Sequence, residues 1–233
     1  MRLLIRLCAA LALCAMLTAP AAAERPIRVL VMGDSFMTSN RFARKSFSHV
    51  LSSLLQTNVK SKAVIGARHL YALPITGSLG MNISKQYIPG KWDYVVMNGG
   101  GNDLWLGCGC GKCTRKMEKL ISSDGRKGAI PRSVARARRD GAKVIYVGYL
   151  RSPGRGSPIE ACKPLGDKLE ARISNLAALD SGITFVSLAD MVPYGDASFH
   201  ALDMIHPSAK GSAGGERNDN SKIAASRLTR RHS

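Results

Sequence analysis

Apolar positions along the chain fall into two kinds of segment that alternate with one another. Short, mostly apolar runs rich in Val, Ile, Leu and Tyr occupy 27–32, 92–97, 143–147 and 183–188, and a further strand is expected at 59–65, where Lys60, Ser61 and Lys62 interrupt Val59, Ala63, Val64 and Ile65 before Gly66. Runs of that length and composition predict buried β-strands. Between them, apolar residues recur every three or four positions. Phe47, Val50, Leu51, Leu54 and Leu55 do so within 39–56, beneath a basic face of Arg41, Arg44 and Lys45, which predicts an amphipathic helix. Further helices are predicted at 114–121, 130–140 and 164–179, with Gly141 just past the end of the second. The Pro- and Gly-punctuated stretches 67–90 and 152–158, and the cysteine-rich stretch after residue 103, predict loops.

This alternation predicts an α/β sandwich with a parallel sheet of about five strands. No repeat or linker divides the chain, so residues 24–233 are expected to form one domain. Residues 1–23 have the features of a cleavable export leader: Arg2 and Arg6, an apolar run too short to span a bilayer, and Ala21-Ala22-Ala23. The expected location is periplasmic or secreted. Cys14 follows bulky Leu13, which argues against a lipid anchor there. The tail 211–233 is Gly-, Ser-, Asn- and Arg-rich; it is expected to break the helical pattern at Gly211, with a short helix at 222–228.

Charge and cysteine content sharpen the picture. Of the formal charge of +18, losing Arg2 and Arg6 with the leader leaves +16. Such a surplus favours an anionic partner such as an envelope surface, or else is a solvated basic face, as expected for Arg132, Arg136, Arg138 and Arg139. With two Trp and five Phe, a base-stacking platform is poorly supplied, so specific nucleic-acid binding is not expected. Cys108, Cys110, Cys113 and Cys162 outlast the leader. In an exported chain they are disulfide candidates in any of three pairings, with a compact zinc cluster as the rival.

Ligands of open parallel sheets gather beyond the carboxyl ends of the strands. Residues following four of the predicted strands read Gly33-Asp34-Ser35, Gly66, Gly100-Gly101-Asn102-Asp103 and, further on, Asp203-Met204-Ile205-His206-Pro207. Together they supply what acyl transfer requires. Ser35 is the candidate nucleophile, His206 its general base, and Asp203, three residues earlier, the carboxylate that orients the imidazole. The Ser35 and Gly66 N–H groups and the Asn102 amide are candidate oxyanion donors. Gly77 and Gly80 compete with Gly66, and the pair Asp196/His200 competes with Asp203/His206. Asp34 and Asp103 read as structural, the latter bonding amides of its own loop; His49 and His69 read as surface or supporting residues. Trp105 is a candidate substrate contact, beside a wall that the cysteines would shape.

These blocks, in this order across 27–210, resemble the SGNH/GDSL hydrolase family, although the first reads Gly-Asp-Ser-Phe where the family has Gly-Asp-Ser-Leu. The resemblance implies a flavodoxin-like three-layer α/β/α sandwich, the same four roles for Ser35, Gly66, Asn102 and His206, and no metal or organic cofactor. No Gly-x-Ser-x-Gly is present, so the α/β-hydrolase elbow is not supported. The expected activity is hydrolysis of carboxylic esters, on an O-acylated glycan, a lipid ester or a small acyl ester. The alternative is a non-catalytic polysaccharide- or lipid-binding protein on the same fold.

Overall fold

The computed structural model describes residues 25–154 and 156–214. The leader at 1–23 and the tail helix expected at 222–228 lie outside the described residues. Five strands, β1 (Val29–Met32), β2 (Val59–Ser61), β3 (Tyr94–Met97), β4 (Lys143–Val147) and β5 (Ile183–Val186), form one sheet. Its order is β2-β1-β3-β4-β5. Every pairing is parallel, so all carboxyl ends emerge at one edge.

Both sheet faces are covered, and the period-2 alternation of the strands sorts their side chains between them. Leu30, Met32, Val95, Met97, Val144 and Tyr146 face one layer, against α4 (Thr114–Leu120), α5 (Ala129–Arg139) and α6 (Lys163–Ala178). Val29, Val31, Val96, Ile145 and Val147 face the other, against α1 (Ser35–Thr38) and α2 (Phe47–Leu55). This is the expected three-layer sandwich. On α5 the stripe Ile130, Val134 and Ala137 is buried while Arg132, Arg136 and Arg139 stay exposed.

Several boundaries differ from expectation. Of the helix expected at 39–56, only Phe47–Leu55 (α2) is helical; 39–46 form a break between the end of α1 at Thr38 and the start of α2. Asn40 and Arg44 there adopt positive φ, 62° and 54°. The break carries no buried apolar residue, and Phe42 is 94% exposed, so nothing holds it as a continued helix; burial begins at Phe47. Formal strand β2 ends at Ser61, yet Lys62 and Val64 still donate to Val31 and Gly33 carbonyls, so the chain continues alongside β1. The expected loop 67–90 contains short helical turns at Pro74–Thr76, Gly77–Met81 and Ile83–Gln86. The cysteine stretch opens as a helix, α3 (Gly101–Cys108). Helix also runs through 209–214 with Ser212 buried, so Gly211 does not end the pattern as expected.

Candidate active site

Strand β1 ends in a turn that leaves little freedom. Gly33 has φ of 146°, and a Cβ there would overlap the Asn98 side-chain oxygen. That oxygen accepts the Asp34 N–H at 3.1 Å, and the Asn98 amide returns a bond to Asp34 Oδ1 at 3.1 Å. Gln86, buried, accepts the Gly33 N–H at 2.7 Å and donates to the Gly33 and Gly80 carbonyls. Asp34 caps α1 by accepting the Phe36 N–H at 2.9 Å. Its other oxygen accepts the Tyr149 hydroxyl at 2.5 Å. Burial raises the Asp34 pKa, against the opposing pull of these hydrogen bonds. Asp34 is therefore structural, as expected. Ser35 follows, half-buried at the first position of α1, where a backbone N–H has no partner inside the helix.

Helix α3 starts at the same edge. Asn102 donates its side-chain amide to the Ala67 carbonyl at 3.2 Å. Asp103 accepts the His69 and Leu70 N–H groups at 2.9 and 2.8 Å. It thus holds the loop after β2, and not its own loop as expected. Burial pushes its pKa up to about 6 despite those two bonds. His69 is fully internal and not a surface residue: it is 4% exposed, its Nε2 meets the Tyr146 hydroxyl at 3.2 Å, and burial lowers its pKa to about 3. His49 pairs locally with Ser46. Gly66, with φ of 74°, sits one residue before the carbonyl that Asn102 grips. The Gly77 N–H is spent on Leu73, and Gly80 is packed on Val64.

His206 and Asp203 meet directly. Asp203 Oδ2 lies 2.6 Å from His206 Nδ1, and Oδ1 accepts the Ile205 and His206 N–H groups at 3.0 Å each. Partial burial raises the Asp203 carboxyl, and the bonds from His206 and Ile205 outweigh it, holding it at about 2. With Nδ1 engaged, Nε2 is the ring nitrogen left for chemistry. The turn is braced from two sides: Asn40 donates to the Pro207 carbonyl at 3.0 Å, and Ser157 to the Met204 carbonyl at 2.8 Å. The rival pair is not formed. Asp196 accepts the Ser198 N–H, and both nitrogens of buried His200 lack a partner among the described residues.

Ser35, Asn102 and His206 share the wall of one pocket of about 110 Å³, which Trp105 also lines. Gly66 and Asp203 are not on that wall; Asp203 reaches it through the imidazole. All four cysteines among the described residues are in disulfides, Cys108–Cys113 and Cys110–Cys162, and not in the rival zinc cluster. Cys110 and Cys162 also line the pocket.

Three supporting residues, Tyr149, Asn98 and Gln86, escaped sequence reasoning. Tyr149 follows β4, where no motif points to chemistry. Its hydroxyl bridges the turn of Ser35, through Asp34, to the Gly101 N–H at the start of α3, at 3.3 Å. Asn98 directly follows β3, and Asn102, four residues on, carries the stronger motif. Gln86 carries no local signal.

Residues 31–213 match the GDSL-like Lipase/Acylhydrolase family. The chain belongs to that family. It is accordingly a hydrolase of ester bonds. Solved structures agree in fold. A candidate SGNH hydrolase from Slackia heliotrinireducens is 21% identical over 85% of this chain and 100% of its own, with a TM-score of 0.61. A GDSL-like lipase from Bacteroides thetaiotaomicron is 20% identical over 91% and 96%, with a TM-score of 0.58. A family two carbohydrate esterase from Clostridium thermocellum, in complex with cellohexaose, is 15% identical over 88% and 66%, with a TM-score of 0.56. No curated protein matches the chain.

Proposed function

We propose that this GDSL-family hydrolase is an exported serine esterase that works through an acyl-enzyme on Ser35. The observation that carries this reading is the shared pocket wall of Ser35, Asn102 and His206, with the His206 ring already oriented by Asp203. The Ser35 hydroxyl attacks the ester carbonyl while His206 Nε2 takes its proton. The Ser35 N–H, the Gly66 N–H and the Asn102 amide stabilise the oxyanion. The imidazolium, stabilised by Asp203, returns the proton to the leaving alcohol. Water then attacks the acyl-enzyme, giving its proton to Nε2; the acid departs and Ser35 is reprotonated. Gly66 stands off the pocket wall, in the loop that the Asn102–Ala67 bond ties to α3. Export is supported by the leader pattern and the two disulfides. Among the described residues no helix is long and apolar enough to cross a membrane.

Hydrolysis of p-nitrophenyl acetate by wild type and Ser35→Ala tests the mechanism. The expected loss in kcat is at least three orders of magnitude. Equal rates in a folded variant overturn it.

A further inference from the structure

We propose that residues 41–45, in the break between α1 and α2, form a membrane-docking loop: Phe42 enters the headgroup boundary of an anionic phospholipid bilayer while Arg41, Arg44 and Lys45 meet its phosphates. The inference goes beyond the esterase reading and is measured by binding, whether or not Ser35 is a nucleophile.

The sequence sets the electrostatics. From Ser35 to Trp92 the chain carries eight Lys or Arg and no Asp or Glu. Six of the ten large apolar residues that are exposed among the described residues fall in that same stretch, and Phe42, at 94%, is the most exposed of the six. Cationic side chains beside exposed apolar ones are the two signals that together hold a protein at an anionic lipid surface. A soluble polyanion would engage the cations alone and leave the ring in water, where its apolar area gains nothing.

The loop presents these side chains outward on a closed backbone. Residues 41–45 are all exposed, whereas Ser46 and Phe47 are buried. The Arg41 guanidinium lies 5.5 Å from the centre of the Phe42 ring, which keeps charge and ring at one spot. Among the described residues no carboxylate pairs with Arg41, Arg44 or Lys45. The Arg41 N–H donates to the Thr38 carbonyl at 3.1 Å, and the Arg44 and Lys45 N–H groups donate to the Arg41 and Asn40 carbonyls at 3.0 Å each. A loop already held in shape loses less conformational freedom on docking.

Its position ties docking to the pocket. Helix α1 has four residues, a rise of about 6 Å, so the loop stays near the carboxyl edge of the sheet. Asn40 donates to the carbonyl of Pro207, which lines the pocket with Ser35 and His206, and to Ser212 Oγ. Leu202, fully exposed, lies on the turn that the Ala201 N–H closes on the His206 carbonyl. The carboxylates of that segment are engaged: Asp203 holds His206, and Asp196 accepts the Ser198 N–H and faces Lys210 Nζ at 3.6 Å. A docked molecule therefore carries its pocket towards the lipid surface.

The experiment is co-sedimentation of the full chain with vesicles of phosphatidylcholine alone and of phosphatidylcholine with phosphatidylglycerol at about 3:1. All variants are made in the same chain, so residues outside those described contribute equally. Wild type is expected to bind the anionic vesicles at least about tenfold more tightly than the neutral ones, and less so as salt rises. Phe42→Ser should weaken anionic binding by at least about tenfold. Arg41→Ser/Arg44→Ser/Lys45→Ser should weaken it by about a hundredfold, at roughly fivefold per charge. Arg132→Ser/Arg139→Ser, on the exposed face of α5, should change it less than about twofold, since that face is remote from the docking loop. Fluorescence of Phe42→Trp should be quenched by brominated lipid beyond the quenching of wild type. No preference for anionic vesicles, or an equal loss in the α5 variant, overturns the loop as the docking site. Anionic binding undiminished in Phe42→Ser, with no added quenching in Phe42→Trp, overturns the bilayer and leaves a charge-only contact with polyanions.

Discussion

Under the proposed mechanism Asp203 and Tyr149 have different parts, and substitution separates them. Asp203 holds His206 by one short bond and so selects its ring tautomer. Asp203→Asn keeps the shape and inverts the hydrogen-bond sense; kcat on p-nitrophenyl acetate should fall by about 10²–10⁴. The same carboxylate makes stability depend on pH. Its folded pKa of about 2 lies below the unfolded value of about 3.9. Its stabilisation is therefore complete above pH 4–5 and is lost as pH falls towards 2. The gap in unfolding free energy between wild type and Asp203→Asn should narrow over that interval, as denaturant melts at each pH would register. Tyr149 touches no reacting atom; it positions Asp34 and the start of α3. Tyr149→Phe removes a bond to a buried carboxylate, costing on the order of 1.5–3 kcal/mol of stability. It should lower kcat about tenfold with KM nearly unchanged; a larger change in KM than in kcat would contradict a positioning role. Ser35, Asn102, Asp203 and His206 could be singled out from the sequence because chemistry limits which side chains serve the proposed reaction, and the structure brings Ser35, Asn102 and His206 to one pocket wall. Tyr149 could not be singled out, because its contribution depends on a contact 115 positions away in sequence.

Elements were legible where burial is periodic. Four strands and helices α4, α5 and α6 lie within two residues of expectation because each buries a run or a stripe; β2, an edge strand with no buried residue, ends at Ser61, short of the expected 65. The break at 39–46 was not legible. Its backbone answers to a tertiary contact, with Asn40 in left-handed geometry donating to Pro207 and Ser212 behind the Asp203–His206 turn. Similarly, 209–214 stays helical through Gly211, a residue packed so closely on the Phe199 carbonyl that a Cβ has no room. Cysteine pairing was undetermined, as four cysteines allow three patterns. The pair Cys110–Cys162 joins elements 52 residues apart, so loop-closure entropy makes it the larger stabiliser of the two. Replacing both by Ser should cost on the order of 2–4 kcal/mol. Cys108 and Cys113, five residues apart, should cost less in the same melt; the reverse order would show that chain entropy is not the governing effect.

At the scale of the whole molecule, five parallel strands deliver their carboxyl ends to one edge, and function depends on which residues the chain places there. The turn after β1, the start of α3 and the loop after β5 come from distant parts of the sequence, yet each is tied to a neighbour: Asp34 to Asn98, Asn102 to Ala67, Asn40 to Pro207. The resulting pocket is lined by Ser35, Asn102 and His206 together with many apolar residues, while Arg132 and Arg136 of the exposed face of α5 are not among its lining residues. The claim on which the rest depends is that His206 activates Ser35 in the folded chain. Treating wild type with a fluorophosphonate and mapping the modified peptide by mass spectrometry tests it most directly. A single adduct on Ser35, abolished by prior unfolding and strongly slowed in His206→Ala, is the expected result; an unmodified Ser35, or labelling at the same rate in His206→Ala, would contradict it.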